Sequence, residues 1–124
     1  MANQPELKVQ IAIIKWLRAV MPKALIQHSR NEVQKRGPSG MREVVRAKSA
    51  GMLPGFPDLI VLPDAKTGPF FLEVKAPKGR VSPTQEQVHG MLSERGYPIA
   101  VVKSVEDTRE FLIGAGIPFN EVAL

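Results

Sequence analysis

The segment Phe70-Phe71-Leu72-Glu73-Val74-Lys75 narrows the possible folds more than any other part of the chain. A run this apolar reads as a buried strand, yet it carries a carboxylate within it. Side chains on a strand alternate with period two, so Glu73 and Lys75 share one face while Val74 points into the core on the other. A second apolar run, Leu59-Ile60-Val61-Leu62, follows Gly55-Phe56-Pro57-Asp58 and has a carboxylate, Asp58, at its start. Taken singly, an Asp at a strand start is usually a turn residue or cap, and a Glu-x-Lys pair is usually a surface ion pair. Two carboxylates and a Lys on paired buried strands are different, because buried carboxylates need a partner or a metal. Hard oxygen ligands of this kind suit Mg²⁺.

The rest of the chain supplies elements to enclose that pair. Pro5 to Val20 reads as an amphipathic helix, with Asn3 as a possible N-cap, Pro5 in the first turn, and an apolar stripe of Leu7, Ile11, Ile14 and Leu17 flanked by Ile13 and Trp16. Ala24 to His28 reads as a short strand. Gly37-Pro38-Ser39-Gly40 is a break, and a basic, weakly amphipathic helix opens at Ser39 or Gly40 and runs through Lys48. Asp58 to Leu62 and Phe70 to Ala76 read as antiparallel strands joined by a hairpin over Pro63 to Pro69. Ser82 and Pro83 mark a helix start by cap and first-turn proline, and that helix ends near Arg95 before Gly96. Ile99 to Val102 is a buried strand. Ser104 caps a last helix whose first turn holds Glu106 and Asp107, as the helix dipole favours. The order α-β-α-ββ-α-β-α predicts an α/β sandwich around a small mixed sheet, and 124 residues are most simply one domain, 1–124.

Charge points to a partner. The net charge is +5, and from Lys8 to Lys48 ten Lys and Arg stand against two Glu, while the remainder is net acidic. Such asymmetry suits a polyanion, although a solvated basic helix face accounts equally well for charge alone. Cysteine is absent, which excludes disulfides, thiolate metal sites and Cys nucleophiles and fits a reducing, cytoplasmic interior. Lys8, Gln10, Lys15 and Arg18 interrupt the first helix, so no stretch approaches the roughly 18 apolar residues of a membrane span, and no signal peptide is evident.

With these residues in place, the chain resembles the PD-(D/E)XK nuclease superfamily, and its VRR-NUC branch in particular. The likeness rests on an N-terminal helix carrying Glu6, the Gly-x-x-x-Gly-x-Pro-Asp run from Gly51 to Asp58, the Glu73-Val74-Lys75 strand, and the Ser-x-x-Gln helix start from Ser82 to Gln85. It extends from Pro5 to about Leu112 and implies a restriction-endonuclease-like core. It further implies that Asp58 and Glu73 ligate Mg²⁺ or Mn²⁺, that the Val74 carbonyl completes the shell, and that Lys75 positions or activates the attacking water and offsets transition-state charge. Glu6 matches an outer or second-metal ligand, though a first-turn Glu favoured by the helix dipole is an equal account. Gln85 matches a Gln that holds a water or Lys75 near the metal, with Gln87 a nearby competitor. Asn31 borders the site on family pattern alone.

His28 and His89 stand in no metal-ligand spacing; a His general base suits nuclease chemistry, but a surface or partly buried structural residue is the favoured reading of both. One Trp and one Tyr leave no evident stacking platform, so DNA contact falls to phosphate-binding cations: Arg30, Lys35, Arg36, Arg42, Arg46, Lys48, Lys78 and Arg80. The expected activity is a metal-dependent endodeoxyribonuclease of bacterial or phage-infected cells. As in stand-alone members of the branch, a homodimer is expected to cut branched DNA such as Holliday junctions, with Trp16, Met41, Met52 or Leu53 available for the contact. Alternatives are a flap or 5′-end nuclease, a restriction-type enzyme with little room for recognition structure, a non-catalytic basic DNA-binding module, and a basic RNA-binding or assembly protein, which leaves the buried carboxylates unexplained.

Overall fold

The computed structural model describes residues 4–29 and 37–121. Its elements are α1 (Gln4–Val20), β1 (Leu25–His28), α2 (Gly37–Ser49), β2 (Leu59–Leu62), β3 (Phe70–Val74), α3 (Pro83–Glu94), β4 (Ile99–Val102) and α4 (Val105–Gly114). The order matches the sequence expectation element by element. The possible cap at Asn3 lies outside the described residues. Asp58 stands one residue before β2, with its carbonyl accepting the Ser29 N–H at 2.7 Å. β3 ends at Val74 rather than Ala76, although the Lys75 N–H still reaches the Val102 carbonyl at 3.0 Å.

The four strands form one sheet in the order β1-β2-β3-β4, antiparallel except for the parallel pair β3–β4. β3 is therefore paired along both edges. It is also buried along its whole length, and period-two alternation explains how. Phe70, Leu72 and Val74 face a core built with Ile13, Leu17 and Val20 of α1 and Leu112 of α4. Phe71 and Glu73 face the other way, where Phe71 meets Phe56 and Tyr97 edge-on and Glu73 meets α3. The β2–β3 hairpin is closed by Asp64, whose side chain accepts the Thr67 N–H at 2.7 Å and whose carbonyl accepts that of Gly68 at 2.9 Å.

Two helix expectations need correction. In α1 the core face is Gln10, Ile13, Trp16, Leu17 and Val20, whereas Ile11 is 58 % exposed. At 100° per residue Ile11 lies about 200° from Ile13, so both cannot face the sheet. Trp16 packs on Phe119 with ring centroids 5.6 Å apart and is a core residue, which removes it from any surface contact. In α2, Met41 and Val45 form an exposed apolar edge next to exposed Arg42 and Arg46. That helix is amphipathic, but its apolar edge faces away from the hydrophobic core.

Both caps foreseen on α3 and α4 are formed. Ser82 and Gln85 make a reciprocal capping box on α3, and the Ser104 side chain accepts the Asp107 N–H on α4. The loop before β2 is held against α3 by a close approach. Gly55 has φ +86°, and a Cβ placed there would lie 2.6 Å from the Thr84 carbonyl oxygen. Gly51 has φ +105° with open space around it. Gly51→Ala should therefore lose about 1 kcal/mol from backbone conformation alone. Gly55→Ala should lose roughly 2 kcal/mol or more, because two backbones must move apart. Urea denaturation of the two variants measures the gap, and equal losses would remove the steric role of Gly55.

Candidate active site

The site gathers at the end of the sheet where β2 begins and β3 ends. β3 fixes Glu73 through its pairings on both edges, and the side chain is only 1 % exposed. Asp58 arrives from the Gly51–Pro57 loop and is anchored by a hydrogen bond from the Val74 N–H to its Oδ2 at 2.8 Å. This bond brings the two carboxyl groups within hydrogen-bonding reach of each other. Lys75 Nζ lies 3.9 Å from Glu73 Oε2 and is 13 % exposed. The three residues singled out in the sequence are thus brought together, as period two requires of Glu73 and Lys75.

Helix α3 completes the cluster. Gln85 Nε2 donates to Glu73 Oε2 at 3.3 Å, and His89 Nε2 lies 3.3 Å from Glu73 Oε1. Gln85 thus contacts the carboxylate itself rather than Lys75, and Gln87 is exposed on another face. His89, which the sequence favoured as a merely structural residue, joins the cluster. Its signal was its position four residues after Gln85, which places both on one helical face. His28 is exposed on the edge strand β1, in keeping with its surface reading.

Burial shapes the electrostatics. The Asp58 carboxyl is pushed up from 3.8 to about 7, first by burial, then by its hydrogen bond to Glu73 and the charge there; the Val74 N–H and Lys75 pull it down. Metal-free, the carboxyl pair therefore keeps a proton up to near-neutral pH, as two acids forced together must. His89 is held below its ordinary value by burial and then by the Lys75 charge, against smaller opposing effects of Asp58 and Glu86, so its imidazole is neutral near pH 7.

Among the described residues, no group of three or more His, Cys, Asp and Glu is arranged to hold a metal ion. The acidic donors here are two. That set fits Mg²⁺, which is commonly held by one or two carboxylates and takes its other oxygens from water and phosphate. Glu6 is partly buried in the first turn of α1, the helix on the opposite face of β3 from Gln85 and His89. Arg42, Arg46, Lys48, Lys78 and Arg80 are all exposed. Lys103, which the sequence did not single out, ties the loop bearing Lys78 and Arg80 to β4 by donating to the Pro77 carbonyl at 3.2 Å. Arg30, Asn31, Lys35 and Arg36 lie outside the described residues. A separate groove lined by Val20, Met21, Pro22, Pro63 and Phe119 lies at the other end of β2 and offers one carboxylate, Asp64.

A mixed four-stranded sheet with carboxylates and a Lys where β2 meets β3, backed by a Gln-bearing helix, defines an α/β domain. The family model of the VRR-NUC domain matches residues 4–106, and the chain belongs to that family. Two solved structures share the fold. A "VRR_NUC domain protein" is 20 % identical with a TM-score of 0.65, covering 93 % of this chain and 90 % of its own. A "VRR_NUC domain" is 22 % identical with a TM-score of 0.61, covering 90 % of this chain and 97 % of its own. No curated protein matches the chain. Among the described residues, no helix is long and apolar enough to cross a membrane.

The raised Asp58 value has a definite sign. The folded state binds more protons than the unfolded chain between about pH 4 and 7, so this group's contribution is full below the unfolded value and is lost as pH rises through about 7. Metal-free protein should be less stable at pH 8 than at pH 5 by on the order of 1–2 kcal/mol from this source, after allowing for solvent screening. Asp58→Asn should flatten that slope and melt higher than the parent at pH 8. Calorimetric melting of both proteins in EDTA across this range provides the check, and parallel pH profiles would contradict a proton held at Asp58.

Proposed function

We propose that the protein is a divalent-metal-dependent endonuclease that hydrolyses phosphodiester bonds in DNA, the whole chain forming one nuclease domain. The observation that carries this reading is the convergence of Asp58, Glu73 and Lys75 on one buried corner. Burial and the neighbouring Glu73 push the Asp58 carboxyl up to about 7, and the Lys75 ammonium beside the pair is itself only 13 % exposed. Such a corner is costly to a fold that has no use for it.

Asp58, Glu73 and the Val74 carbonyl are the proposed holders of Mg²⁺ or Mn²⁺; Glu6 is proposed as an outer acidic group only, since it would have to reach past the end of β3 from the helix on the other face. When bound, the ion supplies Lewis-acid stabilisation of charge on the phosphate and acidifies water. The chain's own residues do the rest. Lys75 orients the attacking water and places a positive charge beside the oxygens that become more negative during in-line displacement. Gln85 and His89 contact Glu73 and act through it. Arg42, Arg46, Lys48, Lys78 and Arg80 hold the phosphate backbone, along with Arg30, Lys35 and Arg36, through contacts that carry little sequence information. Asn31 is proposed to border the site.

The proposed substrate is branched duplex DNA such as a Holliday junction, cut by a homodimer whose two sites make paired incisions. Exposed Met41 and Leu53 near α2 offer apolar surface for that pairing.

The experiment is a cleavage assay on labelled four-way junction, flap, single strand and linear duplex, in Mg²⁺ or Mn²⁺, with EDTA as control. Junction nicking should exceed that of the other substrates, and Lys75→Ala should slow it about 10²–10³-fold. Preferential cutting of flaps or ends would keep the nuclease and replace the substrate. Salt-sensitive binding without cutting in either metal would favour a non-catalytic nucleic-acid-binding module.

A further inference from the structure

We propose that His89 and Gln85 form a two-point clamp that sets how the Glu73 carboxylate is offered to a divalent cation, and that the capping box at the start of α3 anchors this clamp. The proposal rests on the metal-dependent reading above and assigns to α3 a task within it. Both are positioning residues, since they act through Glu73.

The backbone of Glu73 is held by its pairing with Val101 of β4, and the residue before it, Leu72, pairs with Leu59 of β2. What remains free is a long side chain with several torsions. A single donor would leave the carboxylate able to swing about one bond. Here two side chains one helical turn apart meet different oxygens, Gln85 donating to Oε2 and His89 Nε2 facing Oε1, each at 3.3 Å; the clamp assigns His89 the Nε2–H tautomer, which donates. Two fixed donors on two oxygens define both the position and the plane of the group.

The amide of Gln85 is itself oriented. Its Oε1 accepts the Ser82 N–H at 2.9 Å, while its backbone N–H donates to Ser82 Oγ at 3.1 Å. An amide flip would set an oxygen against the carboxylate and an NH₂ group against the Ser82 N–H, opposing like groups at both ends. The helix cap thus dictates that Gln85 presents a donor to Glu73. The clamp has a further effect on Lys75. Its Nζ stands 3.9 Å from Glu73 Oε2, well beyond the roughly 2.8 Å of a tight charge-assisted pair, with Gln85 occupying the same oxygen. With a neutral donor sharing that oxygen, the ammonium is held in a long ion pair rather than a tight one.

The test is Mn²⁺ binding followed by electron paramagnetic resonance at one fixed pH, with thermal melting of every protein in parallel. His89→Phe keeps a ring of similar size and removes the donor; His89→Gln restores an N–H; Gln85→Met removes the amide. His89→Phe and Gln85→Met should each weaken Mn²⁺ binding about 10-fold or more, and His89→Gln should recover most of the loss, a rescue that ring packing alone would not give. Parent-like affinity in His89→Phe would overturn the clamp, as would His89→Gln binding as weakly as His89→Phe while melting like the parent. If His89→Phe does not fold, Gln85→Met decides alone. Absence of Mn²⁺ binding by the parent protein would instead overturn the metal-site reading, and the clamp with it.

Discussion

Everything around the site follows from a carboxylate placed inside a strand that is paired on both edges and covered on both faces. β3 cannot shift to relieve Glu73, because its backbone is bonded to β2 and β4 and its other face is locked into the core by Phe70, Leu72 and Val74. Water cannot solvate the group either. The surroundings must therefore supply polar partners, since a buried charge left alone is expensive. They come from each neighbouring direction: Asp58 from the loop before β2, Lys75 from the next position on the same face, and Gln85 and His89 from α3.

The two faces of the sheet divide the labour. Helices α1 and α4 pack on the Phe70–Val74 side and provide an apolar core of ordinary composition. The α3 side carries the polar cluster, with an aromatic group of Phe56, Phe71 and Tyr97 lying alongside it. The apolar core and the polar cluster thus draw on different residues of the same five-residue strand, separated by the alternation of the pleat.

Much of this was legible beforehand. The strand pair, the hairpin between them, the capped starts of α3 and α4 and the Glu73–Lys75 pairing all depend on local rules: period two, turn residues and cap chemistry. What escaped depended on contacts between distant segments. His89 is one of two histidines and has no ligand spacing to mark it; only the packing of α3 across β3 turns its position after Gln85 into a contact with Glu73. Ile11 belongs to the same apolar stretch as Ile13 and Ile14, and sequence could not say which part of a wide stripe would meet the sheet. Trp16 reads from the sequence as a core or an interface residue, and its packing against Phe119, far along the chain, decides for the core. The exposed apolar edge of α2 reverses the usual inference from amphipathicity to packing.

The close approach of Gly55 to Thr84 bears on how this domain can be altered or elaborated. It welds the segment that delivers Asp58 to the first turn of the helix that delivers Gln85, so these two parts behave as one block even though nearly thirty positions separate them in the chain. Added residues between Gly51 and Asp58 would pry that block open. The Pro63–Pro69 turn, at the opposite end of the strand pair and exposed at its tip, bears no such constraint. Insertions are expected to be better tolerated there, where the described hydrogen bonds are those of Asp64 and its local turn.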